Sequence, residues 1–204
     1  MSNDQSDHEH ILRDRWNSPK GTDLAHAIRT ALESGEDWRR ITRDASSWND
    51  EHDLGGICLA GANLQGVDLR SAYLAYADLR DATMNEANLA EAMLTNTDLA
   101  GASLRNADLR EAKAGLGVFT HCDISHAVLD GALLARARLG GARLTGASLR
   151  RTNLAGADLR DADLTGADLS GATLVSALMD NADLTGAILS NVRGGNLSQP
   201  PDNS

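Results

Sequence analysis

The feature that most constrains this chain is a repeat of five residues, which is clearest in NLAGADLRDADLTGADLSGATL at residues 153–174. Neither regular element explains this period. In a helix, residues turn by about 100° each, so leucines five apart would be rotated by about 140° and no apolar stripe would form. In one long strand, the odd period would point alternate leucines to opposite faces, although Asp and Arg occur throughout the stretch.

A short extended piece followed by a corner accounts for the period. Ala157 and Leu159 would point inward, and Asp158 between them would point outward. Arg160 and Asp161 would then turn the corner. Four such pieces, joined by turns of about 90°, close a tube whose axis is filled by leucine and whose units are buried only by stacking. The repeat therefore predicts a solenoid.

The register of the repeat runs from Leu59 to Leu189 without a slip and comprises 27 units. Leucine occupies the central position in 22 units, and alanine occupies the position two residues earlier in 21. Glycine takes the second corner position at ten sites, as tight turns favour. Arg, Glu and His also occur there, so we expect that this corner does not always require a positive φ.

This A(D/N)LXX pattern closely resembles the pentapeptide-repeat family over about two thirds of the chain. The resemblance implies an all-β solenoid, a right-handed quadrilateral β-helix with four units per coil. The 27 units would make nearly seven coils. At about 4.8 Å per coil, the tube would be about 30 Å long.

The residues before the repeats predict a small α-helical N-terminal cap. A helix is expected over residues 22–34, with Thr22 as its N-cap and Gly35 at its end, and shorter helices are expected around residues 11–16 and near Trp38. A first coil exposes a leucine-lined core and an unpaired edge, which these helices would cover. A separate recognition module is the alternative. The apolar face of the main helix comprises Leu24, Ile28, Ala31 and Leu32.

The whole chain is thus expected to have four parts. These are a disordered tail at 1–10, the helical cap at 11–52, the β-helix at 53–192 and a flexible tail at 193–204. The last coil would be left open, so either the tail folds over it or two molecules meet there. A homodimer through this end is favoured, although the extra apolar C-terminal residues of dimeric family members are lacking.

The stretch EAKAGLGVFTHCDISHAV at residues 111–128 departs most from the repeat. Ala114 is small for a central position and Phe119 is large, so the pair is interpreted as volume compensation, with Gly117 making room for the ring. Neutral drift in a permissive core is the alternative.

The same stretch contains residue types found in catalytic and metal sites, namely His121, Cys122, Asp123 and His126. The register argues against such a site. Cys122 falls at an inward position, both histidines fall at corners, and no third ligand is apparent. The outward Asp and Asn residues are expected to bond to nearby backbone. We therefore expect no catalytic residue, no metal site and no cofactor, and a protein that is not an enzyme.

The sequence also favours a cytoplasmic location. The N-terminal MSNDQSDHEH lacks the apolar region of a signal peptide, and no apolar run approaches the length of a membrane span. Cys58 and Cys122 would lie about three coils apart, too far for a disulfide, so both thiols suit a reducing compartment.

A protein-docking side is the first functional hypothesis. Every fourth unit falls on the same side of the tube, and the outward positions of one side are Tyr73, Met93, Lys113, Leu133, Asn153 and Thr173. A flat, partly apolar side that carries both tyrosines suggests partner binding. Scattered surface apolar residues are the alternative. The candidate partner-binding residues on this side and its corner are Tyr73, Tyr76, Met93, Leu116, Leu133 and Val175.

The family resemblance supplies the second hypothesis, a DNA mimic. Certain members resemble duplex DNA, occupy the DNA-binding saddle of gyrase or topoisomerase IV, and protect it from quinolones or peptide toxins. That requires an acidic surface. The chain carries a net charge of −10, but the repeats at 54–193 contribute only −4, from 12 basic and 16 acidic residues. The candidate acidic walls are Asp78, Asp81, Asp98, Asp158, Asp161 and Asp180.

A band of arginines weakens this second hypothesis, because positive charge would repel a DNA-binding saddle. Nucleic-acid binding by the band is not expected either, since no aromatic residues interleave with it and the chain is acidic. We therefore expect a non-enzymatic interaction or scaffold module whose partner is another protein, with a type II topoisomerase as the alternative and without nucleic acid or membrane. The band comprises Arg136, Arg138, Arg143, Arg150 and Arg151.

Overall fold

The computed structural model describes residues 3–44 and 53–194 of the chain. In the second range, each outward residue pairs in parallel with its equivalent four units later, for example Asn63 with Thr83 and Thr83 with Ser103. Four units therefore make one coil, as the repeat predicts. Regular strands are short: β1 is Thr173–Leu174 and β2 is Arg193–Gly194, and the two pair in parallel.

Backbone hydrogen bonds join each coil to the next in a fixed pattern. Leu59 N donates to Asp78 O at 2.7 Å, and Asp78 N donates back to Ile57 O at 2.9 Å. Within a coil, Ala62 N donates to Leu59 O at 3.0 Å and closes the corner as a β-turn. Interior units repeat these bonds, so the five-residue sequence period becomes a hydrogen-bonded ladder that repeats once per coil.

The corners correct one expectation from the sequence. Within residues 53–194, seventeen non-glycine residues at the second corner position have a positive φ between 56° and 63°. Glu86, His121 and Arg136 are among them, at 60°, 57° and 58°. The turn requires the left-handed conformation whatever the residue, because the N–H at this position must reach the next coil, as Glu86 N reaches Arg105 O at 2.8 Å. That bond offsets a strain of about 1 kcal/mol.

The core of the tube consists of the inward leucines and alanines, which are fully buried from Leu54 to Leu174. Three inward alanine positions hold Thr97, Cys122 and Thr152 instead. Their side chains donate to carbonyl oxygens of the preceding coil, as Thr97 does to Leu74 O at 2.7 Å. The core therefore tolerates a polar atom only where a backbone acceptor is within reach.

In the irregular stretch, the structure agrees with the predicted role of Gly117 beside Phe119. Phe119 is completely buried, and Ala114 lies in the same core. A Cβ atom built on Gly117 would lie 2.8 Å from Cε2 of the Phe119 ring. Gly117 thus leaves the space that the ring occupies, as the sequence predicts.

Residues 3–44 form three helices before the tube: α1 (Asn3–Asn17), α2 (Pro19–Ser34) and α3 (Trp38–Asp44). Disorder was expected for residues 1–10, whereas α1 begins at Asn3. The sequence of α1 contains neither proline nor glycine, so nothing in its composition interrupts a helix.

The start of α2 also differs from the expectation. The helix begins at Pro19, which suits a first turn, and Ser18 is the N-cap whose side chain accepts a backbone N–H of that turn. The assignment of Thr22 as N-cap is wrong, because its hydroxyl donates to the carbonyls of Trp16 and Ser18. Gly35 ends the helix, as predicted, with a φ of 75°.

The helices lie against the first coil. Trp16, Ile28 and Trp38 are buried in the same apolar cluster as Leu54 and Leu59. In later coils, backbone carbonyls accept a hydrogen bond from the preceding coil, as Arg80 O does from Gly61 N. In the first coil, side chains of the helices donate to the equivalent carbonyls instead. These carbonyls belong to Gly55, Ala60, Asp68 and Arg70, and the donors belong to Arg15, Trp16, Arg29, Trp38 and Arg39.

The last coil differs from the interior coils. The inward residues Met179, Leu184 and Leu189 are only partly buried. Their backbone N–H groups make no hydrogen bond within residues 53–194, whereas Leu159 N donates to Leu178 O at 2.8 Å one coil earlier. The flexible tail was predicted at 193–204, but Arg193 and Gly194 form β2 and pair with β1, so the tube extends to Gly194. Residues 195–204 lie outside the described residues.

Candidate functional site

The histidines and cysteine of the irregular stretch do not form a reactive site. Cys122 is buried, its thiol contacts Leu99 O, and burial raises its pKa to about 12. A thiol in that state is a poor nucleophile. His121 and His126 lie on exposed corners. In the ranges 3–44 and 53–194, no group of three His, Cys, Asp or Glu side chains could hold a metal ion.

A cleft of about 600 Å³ lies between the α2–α3 turn and the first coil. It is lined by the carboxylates of Glu33, Glu36, Asp37 and Asp68 and by Arg39, which lies 3.6 Å from Asp68. Ser34 is the single hydroxyl in its lining, and that hydroxyl donates to a backbone carbonyl rather than to a base. The cleft therefore offers no paired nucleophile and base.

The predicted docking side exists as a continuous side of the tube, which we call the tyrosine side. Its outward residues pair coil to coil in the order Tyr73, Met93, Lys113, Leu133, Asn153 and Thr173. The next side along the chain, which we call the acidic side, carries Asp78, Asp98, Val118, Arg138 and Asp158. Leu116, Arg136 and Val175 lie on the corner between these two sides.

The tyrosines themselves are covered by α1. Tyr76 is only 9% exposed and packs with Leu12 and Ala75, and Tyr73 packs against the same cluster. Burial, and secondarily the nearby Asp53 carboxylate, raise the pKa of Tyr73. The inclusion of Tyr76 in an exposed partner-binding set is therefore wrong, because a helix already occupies that part of the corner.

Close contacts fix α1 in this place. Arg15 forms a two-pronged ion pair with Asp53, at 2.6 and 2.7 Å, and Trp16 Nε1 donates to Gly55 O at 2.8 Å. Gly56 lets the helix backbone approach, since a Cβ there would lie 2.7 Å from the carbonyl carbon of Leu12. The first part of the tyrosine side is thus an intramolecular interface.

The remaining apolar residues of the set are exposed beyond α1. Met93 is 36% exposed, Leu116 40%, Leu133 46% and Val175 50%. Exposed apolar residues also occur on other sides, where Leu178 is 48% and Ile188 50% exposed. The distinction of the tyrosine side is therefore alignment along the tube, not exposure of any one residue.

The acidic side is partly neutralised by arginines of the same units. Arg80 grips Asp78 with two hydrogen bonds of 2.8 and 2.6 Å, and Arg160 grips Asp158 in the same way at 2.8 and 2.7 Å. These guanidinium groups hold the pKa values of both carboxyl groups below their usual range. Asp98 lies 3.8 Å from Arg80 and is also partly compensated.

The corner carboxylates of the acidic set are less engaged. Asp161 accepts a hydrogen bond from Asn181 Nδ2 at 3.0 Å, and Asp81 and Asp180 have no ion pair among the described residues. Arg138 projects from the middle of the acidic side, between Val118 and Asp158. The six predicted acidic residues therefore do not form one unbroken negative surface.

A basic patch beside the exposed leucines was not singled out from the sequence. Lys113, Arg136 and Arg138 are exposed and form no ion pair in the part of the chain that the structure describes. They surround Leu116 and Leu133 on two successive coils. The sequence would have predicted this patch if the corner residues of every fourth unit had been compared together with the outward residues. Counting the arginines of each coil indicates only the arginine band.

The described residues contain no helix that is both long enough and apolar enough to cross a membrane.

Comparison with protein families gives one match. The model described as pentapeptide repeats matches in eight copies, over residues 53–85, 84–114, 118–151 and 152–191. The matched residues coincide with the tube and exclude the three helices. No curated protein sequence matches the chain significantly.

Several solved structures are similar to this one. A trypsin-treated variant of QnrB1, a plasmid-mediated fluoroquinolone resistance protein, is 20% identical over 68% of this chain and 77% of its own, with a TM-score of 0.54. A pentapeptide repeat protein from the thylakoid lumen of Arabidopsis thaliana is 32% identical over 47% of this chain and 67% of its own, with a TM-score of 0.46. HetL, a pentapeptide repeat protein involved in heterocyst differentiation regulation in the cyanobacterium Nostoc, is 29% identical over 69% and 86%, with a TM-score of 0.17. The superposition on QnrB1 supports a shared fold.

Proposed function

This chain belongs to the pentapeptide-repeat family, whose structures are right-handed quadrilateral β-helices, and on that premise we propose that it is a non-catalytic interaction module. It presents one side of its tube to another protein. Proteins of this family are generally structural or interaction proteins, and no enzymatic family matches the chain.

One observation carries the proposal: exposed apolar residues line up on the tyrosine side and its corner beyond α1. Met93, Leu116, Leu133 and Val175 follow one another along the tube on a rigid, hydrogen-bonded wall. A wall of this kind is pre-organised, so binding orders little backbone. Aligned apolar area on a rigid surface is typical of protein interfaces.

Substitution on matched sides tests the proposal. The triple exchange Met93→Ser, Leu133→Ser and Val175→Ser should abolish capture of the protein's partner from its host and leave the melting temperature almost unchanged. The control exchange Leu178→Ser with Ile188→Ser removes residues of similar exposure from other sides and should leave capture intact. Equal loss in both variants, or loss in neither, would contradict the proposal.

We further propose that the chain is organised around nearly seven coils with α1, α2 and α3 as an N-terminal cap. The donors that the helices supply to Gly55, Ala60, Asp68 and Arg70 support this role, because these carbonyls have no preceding coil to pair with. In this proposal the cap begins with α1 at Asn3, and the β-helix runs from Asp53 to β2 at Arg193–Gly194.

A DNA mimic that binds gyrase or topoisomerase IV is the second candidate function. Asp81, Asp161 and Asp180 favour it, because these corner carboxylates form no close ion pair among the described residues and would present charge to a basic saddle. The charge of Asp161 and Asp180 is nevertheless felt by Arg160. Arg138 and the neutralised Asp158 count against it.

Supercoiling by purified gyrase, with and without a quinolone, separates the two candidates. Inhibition or drug protection at about 1 µM protein would establish the mimic. The change Asp98→Asn with Asp161→Asn should then remove the effect, whereas Asp108→Asn with Asp168→Asn, on the opposite side of the tube, should not. No effect at much higher concentration would exclude this candidate.

We also propose a homodimer formed end to end through the last coil. The partly buried Met179, Leu184 and Leu189 support it, as do their backbone N–H groups, which have no acceptor within residues 53–194. A second copy would cover apolar surface and an open edge together. A cytoplasmic location is proposed on the chemistry of exposed Cys58 and buried Cys122, both free thiols.

A further inference from the structure

We propose that the corner between the tyrosine side and the acidic side binds an acidic, amphipathic segment of the partner protein. We call the five residues of this corner the basic–apolar patch: Lys113, Leu116, Leu133, Arg136 and Arg138. The inference rests on the proposed interaction function and names the chemistry of the partner and the place where it docks.

The patch is compact because the coil geometry stacks its members. Lys113 and Leu133 are bridge partners on adjacent coils of the tyrosine side. Leu116 and Arg136 occupy equivalent corner positions on the same two coils, with φ values of 61° and 58°. Arg138 follows Arg136 around the corner onto the acidic side. Two leucines thus lie between three cations.

The cations of the patch are available to a partner. Lys113, Arg136 and Arg138 make no ion pair within residues 3–44 and 53–194, in contrast to Arg80 and Arg160. Asp158 is the bridge partner of Arg138 on the acidic side and feels its charge, but the hydrogen bonds to that carboxylate come from Arg160. Unpaired guanidinium groups are well suited to forked recognition of carboxylates.

The apolar members decide against a nucleic acid as the ligand. Leu116 and Leu133 are 40% and 46% exposed and lie between the cations, where a phosphate backbone would leave them without a partner. A protein segment that carries acidic and apolar residues on one face satisfies both kinds of group at once.

The size of the patch sets the length of that segment. Two coils span about 10 Å along the tube, which equals about two turns of an α-helix. A short amphipathic helix with apolar residues about one turn apart would therefore fit the leucines, and its flanking Glu or Asp residues would meet Lys113, Arg136 and Arg138.

Binding of a defined probe tests the inference. The probe is a labelled peptide of about 16 residues with Leu and Glu on one helical face, followed by fluorescence anisotropy. A matched peptide with Lys in place of Glu and a short DNA duplex serve as competing ligands. The full-length protein should bind the acidic peptide saturably, bind the basic peptide and the duplex at least about tenfold more weakly, and lose affinity at high salt.

Variants on one coil locate the site. Arg136→Gln with Arg138→Gln should weaken binding of the acidic peptide about tenfold or more. The control Arg143→Gln with Arg151→Gln removes two exposed arginines of the same coil, and the same net charge, that form no close ion pair among the described residues. It should change binding less than about twofold. Leu133→Ser should also weaken binding.

Other results would overturn the inference. Equal losses in the two double variants would mean that overall charge attracts the peptide. Tighter binding of the duplex, or no saturable peptide binding at about 100 µM, would exclude the proposed partner chemistry. If capture of the natural partner depends on Met93 and Val175 but not on Arg136 and Arg138, the interaction function stands and only this inference fails.

Discussion

At the residue scale, Gly117 and Phe119 show how the inward positions of one unit share the space inside the tube. Gly117 and Phe119 occupy two successive inward positions of one unit, and the glycine lacks the carbon that would strike the ring. Elsewhere the same two positions most often hold alanine and leucine. The irregular unit is therefore a different solution to the same volume requirement, since protein interiors are close-packed.

Restoring the common residues one at a time tests this exchange. Gly117→Ala should lower the free energy of unfolding by about 1–3 kcal/mol, because the new Cβ overpacks the ring and forces it to move. Adding Phe119→Leu restores the usual unit, so the double variant should lose less than the sum of the two single changes. Urea unfolding of all four proteins measures the coupling, and strict additivity would show that the two residues do not share one space.

Arginine at a first corner position tunes the outward aspartate beside it. Because Arg160 holds the pKa of Asp158 below its usual value, the pair contributes stability at neutral pH that is lost only as the pH falls through that depressed pKa. Arg160→Gln should raise the pKa of Asp158 toward about 3.9, seen by NMR titration of the carboxyl carbon. The melting temperatures of wild type and variant should differ at pH 7 and converge in strong acid. Arg151→Gln should leave the titration unchanged, and an unaltered Asp158 pKa in Arg160→Gln would contradict the assignment.

At the scale of elements, α1 docks by a close backbone approach at the first corner. Gly56 has a φ of 71° and would carry a Cβ within 2.7 Å of the α1 backbone. Gly61, one unit later, has a φ of 66° and nothing within 4 Å of its Cβ position. The two glycines thus share a backbone conformation and differ only in what lies above them.

Alanine substitutions at Gly56 and Gly61 distinguish the strain of the turn from the loss of α1 docking. Gly61→Ala should lower stability by about 1 kcal/mol, the strain of a left-handed alanine. Gly56→Ala carries the same strain and also displaces α1, so hydrogen exchange in α1 should accelerate strongly and Tyr76 should become accessible to solvent. Near-identical exchange in the two variants would mean that α1 is not held at Gly56.

The elements also show which features of the sequence predict structure and which do not. The inward and outward positions follow from the period alone, because each coil repeats one local geometry. The positive φ of corner residues such as Glu86 and Arg136 does not follow from the sequence. Their backbone N–H groups donate to the next coil, and this hydrogen bond overrides the preference of these residues for a negative φ. The start of α1 and its contact with Tyr76 depend on tertiary packing, for which the sequence carries no periodic signal.

At the scale of the whole molecule, the register of four units per coil assigns each outward residue of the sequence to one of the four sides of the tube. It correctly predicts which residues share the tyrosine side. The register does not predict ion pairs between neighbouring side chains, such as Arg80 with Asp78. These pairs neutralise negative charge on a side that appears acidic from the sequence. The exposed character of a side is therefore settled by the pairing of its charges as well as by their number.

The two ends of the tube are not equivalent, and the difference leads to a prediction about assembly. The first coil meets three helices, whereas the inward residues of the last coil remain partly exposed in the described structure. Leu184→Arg places a charge in the middle of that open end and should convert a dimer into a monomer at about 10 µM, measured by light scattering. The long side chain can reach water at the end of the tube, so the circular dichroism spectrum should not change. Thr185→Arg adds the same charge on the neighbouring exposed corner and should leave the dimer intact. A wild-type protein that is monomeric at about 100 µM would show instead that no second copy covers the last coil.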